Sequence, residues 1–437
     1  MSSNKINEEL LKFLEKSPTS FHAVANIAEI LGKKGFTPLT ESRKWELVPG
    51  GKYYVTRNGS SILAFMIPGK DFQGFQIIAS HSDSPSFKVK ENPEMDKEGL
   101  YTRLNVEGYG GMLCAPWFDR PLSVAGRVAV RTENGVETRL VNVDRDLLLI
   151  PSLAIHMNRK ANDGQSYNVQ QDLIPLYGDG KAKNSFRKLV AKEAKVSEKD
   201  LLSMDLFLYS RTKGTIWGAK GEFLSSGRLD DLQCAYASLK GFLKAENSKS
   251  IPVYAVFDNE EVGSGTKQGA ASTFLKDVLH RINGVLGRGE EEYQVAIAGS
   301  FMVSADNAHA VHPNYADKTD PTNRPFLNGG IVIKYNANQK YTTDAVSAAL
   351  FKLLCEKEKV PCQTFVNRSD MAGGSTLGNI SNTQVALNTV DIGLPQLAMH
   401  SPYETAGTKD TEYLVKAARA VFSASISVGQ DGKLEID

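Results

Sequence analysis

The chain has 437 residues, 41% hydrophobic and 23% charged, with 51 Lys plus Arg against 50 Asp plus Glu. That balance supplies no excess basic charge to draw it onto nucleic acid or an anionic membrane, and no stretch approaches the ~18 apolar residues of a membrane span. The four cysteines (Cys114, Cys234, Cys355, Cys362) form no C-x-x-C pair, so the expectation is a soluble cytoplasmic protein with reduced thiols and about two domains at ~100–200 residues each.

Residues 4–16 set Ile6, Leu10, Leu11, Phe13 and Leu14 at helical spacing, and the charged start lacks the apolar core of a signal peptide. Ser17-Pro18-Thr19-Ser20 restarts a second helix, with Phe21, Val24, Ala25, Ala28 and Leu31 as its apolar stripe. Strands follow at 52–56, 61–67 and 75–79, the last running into Ser80-His81-Ser82-Asp83-Ser84-Pro85. From about 90 to 225 the texture is β-rich: Val124, Val128 and Val130 alternate with small or polar residues, and Asn134-Gly135 is a hairpin turn. Residues 142–150 read as extended, 158–171 as loop, and 185–196 as helix. From Arg228 an α/β alternation returns: helices at 232–244, 344–358 and 409–425, and strands at 251–257, 301–304, 331–335, 363–366 and 385–390. The fold class expected is therefore α/β, a catalytic domain of residues 1–90 and 225–437 split by an inserted β-rich domain, 91–224. Its sheet is expected to be mixed, largely parallel and flanked by helices.

Acidic and histidine residues recur just past apolar strands: His81 and Asp83, Glu260 and Glu261, Asp306, and His400; Asp230 precedes a helix. In a parallel sheet such strand ends converge on one crevice. Two histidines and three carboxylates suit Zn²⁺, Mn²⁺ or Co²⁺, and two metals sharing one carboxylate need about that inventory. In the Glu260-Glu261 pair, one glutamate ligates while its neighbour takes a proton from water. Asp83, two residues after His81, is placed to fix the tautomer of that imidazole.

Other chemistries lack their motifs. No G-x-S-x-G occurs, since Gly373-Gly374-Ser375-Thr376-Leu377 lacks the last glycine. No G-x-x-x-x-G-K-[ST] and no H-E-x-x-H are present, and His309-Ala310-Val311-His312 reads as structural.

These residues resemble the aspartyl aminopeptidase/aminopeptidase I family of dinuclear zinc metallopeptidases, in a bacterial-type form. The matches are Ser80 to Pro85, Pro151-Ser152-Leu153-Ala154-Ile155-His156, Gly227-Arg228-Leu229-Asp230-Asp231-Leu232, Asp258-Asn259-Glu260-Glu261-Val262-Gly263-Ser264, Ser304 to Tyr315, and Pro395 to Ser401. They stand in the family order over nearly the whole chain. The resemblance implies two divalent ions, with His81 and Asp306 on one, Glu261 and His400 on the other, and Asp230 between them. It implies Glu260 as general base acting on a metal-bridging water, and Asp83 as the orienter of His81. It implies that His156 reaches a neighbouring subunit's site and that Lys334 meets an acidic substrate side chain. The expected product is removal of one N-terminal residue, acidic or neutral, from short peptides with a free N-terminus. The expected assembly is a dodecamer built from dimers, with no nucleic acid or membrane partner. The chain departs from acidic-specific relatives at Met371-Ala372, where they carry Thr-Pro, in a segment expected to line the substrate region. Two rival readings keep the fold: a non-catalytic assembly scaffold, against which every ligand position stands intact, and an acylase or carboxypeptidase.

Overall fold

Alternation of side chains along the strands decides the layering. Ser61–Met66 sends Ile62 and Ala64 to one face of a sheet and Leu63 and Phe65 to the other. Phe75–His81 divides in the same way, Ile78 against Ile77 and Ala79. All of these side chains are buried, so the sheet needs cover on both faces. Helices Ser3–Lys16, Ser20–Lys33, Leu229–Phe242, Ala345–Lys357 and Asp410–Ser423 close one face, and Phe274–Val285 and Glu290–Ala298 close the other. The computed structural model describes residues 3–429, 431 and 433–437; Met1 and Ser2, at the head of the expected catalytic segment, lie outside them.

Among the described residues this sheet has nine strands, in the order Thr37–Leu39, Lys52–Arg57, Ser61–Met66, Ile251–Phe257, Phe75–His81, Phe301–Ala305, Asn388–Gly393, Ile331–Tyr335 and Cys362–Val366. The middle four, from Ile251–Phe257 to Asn388–Gly393, are mutually parallel. Their carboxyl ends therefore open on one edge, with Phe257 in register with His81 and Ala305 with Ile392. The α/β, two-sided architecture is as expected.

A six-stranded antiparallel sheet runs Gly135–Asn142, Leu122–Thr132, Leu201–Ser210, Ser86–Lys97, Tyr101–Tyr109, Leu176–Asp179. It has its own apolar core, built around Phe87, Leu104, Val124, Phe186 and Leu206. A smaller sheet joins Thr215–Trp217 and Phe223–Ser226 to Glu404–Gly407, Pro395–Leu397 and Ala308–His309.

Three expectations shift. Residues 142–150, read as extended, join the sheet only in part: among the described residues past Asn142 there are isolated bridges at Leu148 and Leu149, and Asp144 and Asp146 ion-pair with Arg211. The strand expected at 385–390 lies at Asn388–Gly393, since Val385 and Leu387 pack into the core from a loop held by Asn382, whose carbonyl accepts from Leu387 N. The helix expected from 232 begins at Leu229, but Asp230 and Asp231 take non-helical angles within it.

Candidate metal centre

Three of the expected ligands, together with Glu260, hang from the edge the parallel strands share; Asp230, in the first turn of Leu229–Phe242, and His400, after Pro395–Leu397, approach from outside it. His81 ends its strand, Asp306 follows Phe301–Ala305, and Glu260 and Glu261 lie in the one-turn 3-10 helix Glu260–Val262 after Ile251–Phe257. The edge is tightly built: Asp306 N donates to Ile392 O at 3.0 Å, and a Cβ on Gly393 would fall 2.0 Å from Asp306 O. Arg228, Asn259 and His400 all adopt left-handed φ near +65° (62°, 63° and 67°), a cost of order 1–3 kcal/mol each that clusters where side chains must be aimed.

The side chains converge around Asp230. Its Oδ1 lies 3.3 Å from His81 Nε2, and its Oδ2 lies 3.4 Å from His400 Nε2. His81 Nε2 is 3.9 Å from Asp306 Oδ1, and His400 Nε2 is 3.3 Å from Glu261 Oε2. Ligand atoms of His81, Asp230, Asp231 and Asp306 lie within 4.8 Å of one another, as do those of Asp230, Glu261 and His400. Asp230 thus belongs to two groupings, one oxygen facing each histidine.

Among the described residues, buried Asp231 Oδ1 and Glu261 Oε1 find no hydrogen-bond partner, and Asp230 Oδ1 has only the His81 Nε2 contact, outside hydrogen-bond geometry. Such atoms are costly unless something else meets them, and a mixed imidazole and carboxylate set at these spacings fits borderline divalent cations. The electrostatics agree. Burial, opposed by His81 and reinforced by Asp306, Asp83 and Asp230, pushes Glu260 up to about 8. Burial and Asp230 likewise raise Glu261 well above the usual carboxylate range. Asp230 alone is held low: burial opposes its charge, and contacts from His400 and His81 outweigh it. Positive charge added here would relieve the mutual repulsion of the other carboxylates.

The surrounding shell is dense. His81 Nδ1 lies 3.1 Å from Asp83 O and 3.4 Å from Asp83 Oδ1. Asp83 also accepts from the backbone N–H groups of Glu260 and Glu261, each at 3.2 Å. Two buried carboxylates were not assigned from the sequence. Asp231 Oδ2 accepts from His81 N at 3.1 Å. Glu404 accepts from Asp230 N at 3.1 Å and His400 N at 2.8 Å, and burial and Asp230 raise it to about 8. Asp231 stood beside Asp230 in the motif, whereas Glu404 has no signal beyond lying four residues past His400.

A cleft of about 200 Å³ opens on the cluster, lined by Asp230, Glu260, Glu261, Asp306 and His400 and by Lys334, His309, Tyr341, Phe365 and residues 374–376. Lys334 is buried, its Nζ 3.6 Å from Asp306 Oδ2 and 5.5 Å from the centre of the Tyr341 ring. Burial opposes its charge, and Asp306, Tyr341, Asp391 and Asp230 together outweigh burial and raise its pKa. His309 lines the cleft beside Lys334. Of the segment that departs at Met371-Ala372, Gly374, Ser375 and Thr376 reach the cleft wall, while Met371 is exposed. His156 is exposed in the 151–164 stretch and does not line the cleft within its own chain. A larger cavity of about 460 Å³ is lined in part by Ser82–Pro85; it shares Asp83, Arg228, Asn259 and Glu404 with this region but none of the five clustered ligands.

Residues 13–422 match the family described as aminopeptidase I zinc metalloprotease (M18). The chain belongs to the M18 aminopeptidase family. It is a zinc aminopeptidase of that family, hence a metallopeptidase that hydrolyses peptide bonds. Among its M18 relatives, a probable M18 family aminopeptidase 2 of Clostridium novyi is 49% identical over 427 residues, 96% of this chain and 99% of the relative. The protein of the same name from Stutzerimonas stutzeri is 42% identical, over 97% and 99%. Ape4, solved in a complex with Nbr1, superimposes with a TM-score of 0.93 at 39% identity, covering 97% of this chain and 86% of that one. The mApe1 dodecamer of S. cerevisiae gives 0.84 at 29%, covering 96% of each. No helix among the described residues is long and apolar enough to cross a membrane.

Proposed function

We propose that this M18 aminopeptidase binds two divalent ions per subunit, zinc first, with manganese or cobalt compatible with the same donors. It would remove the N-terminal residue from short peptides. The observation that carries the reading is Asp230, whose two oxygens each face a different histidine. His81 and Asp306 would hold one ion, Glu261 and His400 the other, and Asp230 both. When bound, the ions would polarise the scissile carbonyl and acidify the attacking water. Glu260, beside the cluster, would accept that water's proton and hand it to the leaving amine. Asp83 would hold the His81 imidazole in its ligating tautomer.

Stripping the protein with a chelator should abolish cleavage, and readdition of Zn²⁺, Mn²⁺ or Co²⁺ should restore it as content rises to two ions per subunit. Saturation at one ion, or equal cleavage of N-acetylated peptides, would overturn the reading.

For the first residue of the substrate we propose an acidic preference carried by Lys334 across the cleft. The corresponding prediction is that Lys334→Ala lowers the ratio of kcat/KM for Asp over Leu substrates about ten- to hundredfold, the worth of a charge-assisted hydrogen bond. A second reading, neutral preference, is favoured by the engagement of Lys334 with Asp306 and by the Tyr341 and Phe365 walls. An unchanged ratio would select it.

We also propose that residues 91–224 form an inserted oligomerisation domain, residues 1–90 and 225–437 forming the catalytic one. The assembly would be a dodecamer built from dimers, in the cytoplasm. Support comes from the dodecamer of the S. cerevisiae relative and from His156, which sits among exposed Leu153, Ile155 and Met157, where it would reach a neighbouring subunit's cleft. The four free cysteines fit a reducing compartment.

A further inference from the structure

The six-stranded sheet sends one short segment into the metal centre. Strand Tyr101–Tyr109 ends at Tyr109, and Gly110, Gly111, Met112 and Leu113 follow. Three contacts join this segment to the cluster. Tyr109 Oη donates to Asp83 Oδ2 at 2.7 Å and accepts from Asn259 Nδ2 at 2.8 Å. Gly110 has φ +75°, and a Cβ there would lie 3.1 Å from Glu261 Cβ and 3.2 Å from Glu261 O. Leu113 N donates to His400 O at 3.1 Å.

The tyrosine contact bears on chemistry because of what else Asp83 holds. A carboxylate offers about four lone-pair sites. Asp83 directs Oδ1 to Glu260 N and towards His81 Nδ1, and Oδ2 to Glu261 N and Tyr109 Oη. Rotation of this carboxylate would disturb the backbone under both glutamates and the imidazole of His81 together. The phenol is the partner that pins the rotation from outside the glutamate turn. Burial, then Asp83, raises the Tyr109 pKa well above the phenol range, so the hydroxyl stays protonated and remains a donor. Packing alone does not require that hydroxyl: the ring rests edge-on against Phe207 at 5.4 Å, which phenylalanine would reproduce.

We propose that Tyr109 is a positioning residue for peptide hydrolysis, fixing the Asp83 carboxylate so that Glu260, Glu261 and His81 are held in one arrangement, and so tying the six-stranded sheet to the metal centre. The proposal rests on the roles given above to Glu260 and His81.

The test uses full-length, metal-loaded protein. Tyr109→Phe should lower kcat about 10-fold, the usual lower cost of removing a partner behind a metal ligand, with KM within about twofold and metal content at its wild-type level. Phe207→Leu, which loosens the same packing and spares the hydroxyl, should keep wild-type kcat. In an Asp83→Ala background, adding Tyr109→Phe should cost nothing further, because its route of action is gone. Wild-type kcat in Tyr109→Phe, an equal loss in Phe207→Leu, or a full additional loss on top of Asp83→Ala would overturn the role. Glu260→Gln, assayed alongside, separates this from the broader reading: if that variant stays active the hydrolytic assignment itself is wrong, whereas an inactive Glu260→Gln beside a fully active Tyr109→Phe removes Tyr109 alone.

Discussion

Replacing Glu260 by Gln should lower kcat by about 10²–10⁴-fold, the contribution typical of a positioned general base, while metal content and assembly stay as in the wild type. The exchange keeps the side chain's size and the backbone N–H that donates to Asp83 at 3.2 Å, so the turn that also carries Glu261 has no reason to move. It removes only the capacity to take a proton. KM should change little, because an interaction made in the transition state is lost rather than one made with the bound peptide. Kinetics on a single N-terminal substrate, with metal analysis of the same preparation, checks this. Full activity in a variant carrying its metals would eliminate Glu260 as base. Loss of activity together with metal would instead make Glu260 a ligand, which its grouping with His81 and Glu261 allows.

The second large effect is expected at Asp230. Substitution by Ala should drop metal content from two ions to fewer than one per subunit and take peptidase activity below detection. His81 and His400 both turn their Nε2 atoms to this one carboxylate, so each proposed ion loses a ligand at once. Stability separates this from misfolding. In the metal-free wild type, His81 and His400 hold the Asp230 carboxylate in its charged form, so its removal should cost the metal-free protein some stability while leaving it folded. The gain on adding metal, about 4 kcal/mol at a thousandfold excess over Kd, should vanish. Paired melting curves with and without metal measure both quantities. A variant that still gains full stability from zinc would rule out the shared-carboxylate arrangement.

The core of this centre was legible in the sequence because of where its residues stand. His81, Glu260, Glu261 and Asp306 each follow a buried apolar strand, and a parallel sheet aligns such ends on one edge. Asp230 lies outside that pattern, and His400, read as following the strand expected at 385–390, follows Pro395–Leu397 of the smaller sheet instead. Asp230 sits in a non-helical turn within the start of a helix, and His400 in a loop with left-handed backbone, so their partners emerge only from tertiary packing. Glu404 was invisible for a related reason: it works through two backbone amides, and any buried carboxylate at the head of a strand would look the same in one dimension. Lys334 shows the opposite limit. The resemblance implied a side chain that meets an acidic substrate, and the fold engages it with Asp306. The strand at Asn388–Gly393 was displaced in the reading because Val385 and Leu387 are as apolar as strand residues yet reach the core from a loop.

The register that brings His81, Asp230, Asp306 and His400 together also sets when the enzyme comes into being. These residues lie in four widely separated segments of the chain, and the partner strand Asn388–Gly393 that holds Asp306 in place is made after all of them but His400. Closing such distant contacts is entropically slow, and it cannot be completed until the chain has been made past residue 400. A ribosome-bound or truncated chain ending before His400 would have a core along much of its length but an incomplete pair of ion positions. Peptidase competence would then arrive only once His400 has joined Asp230 and Glu261.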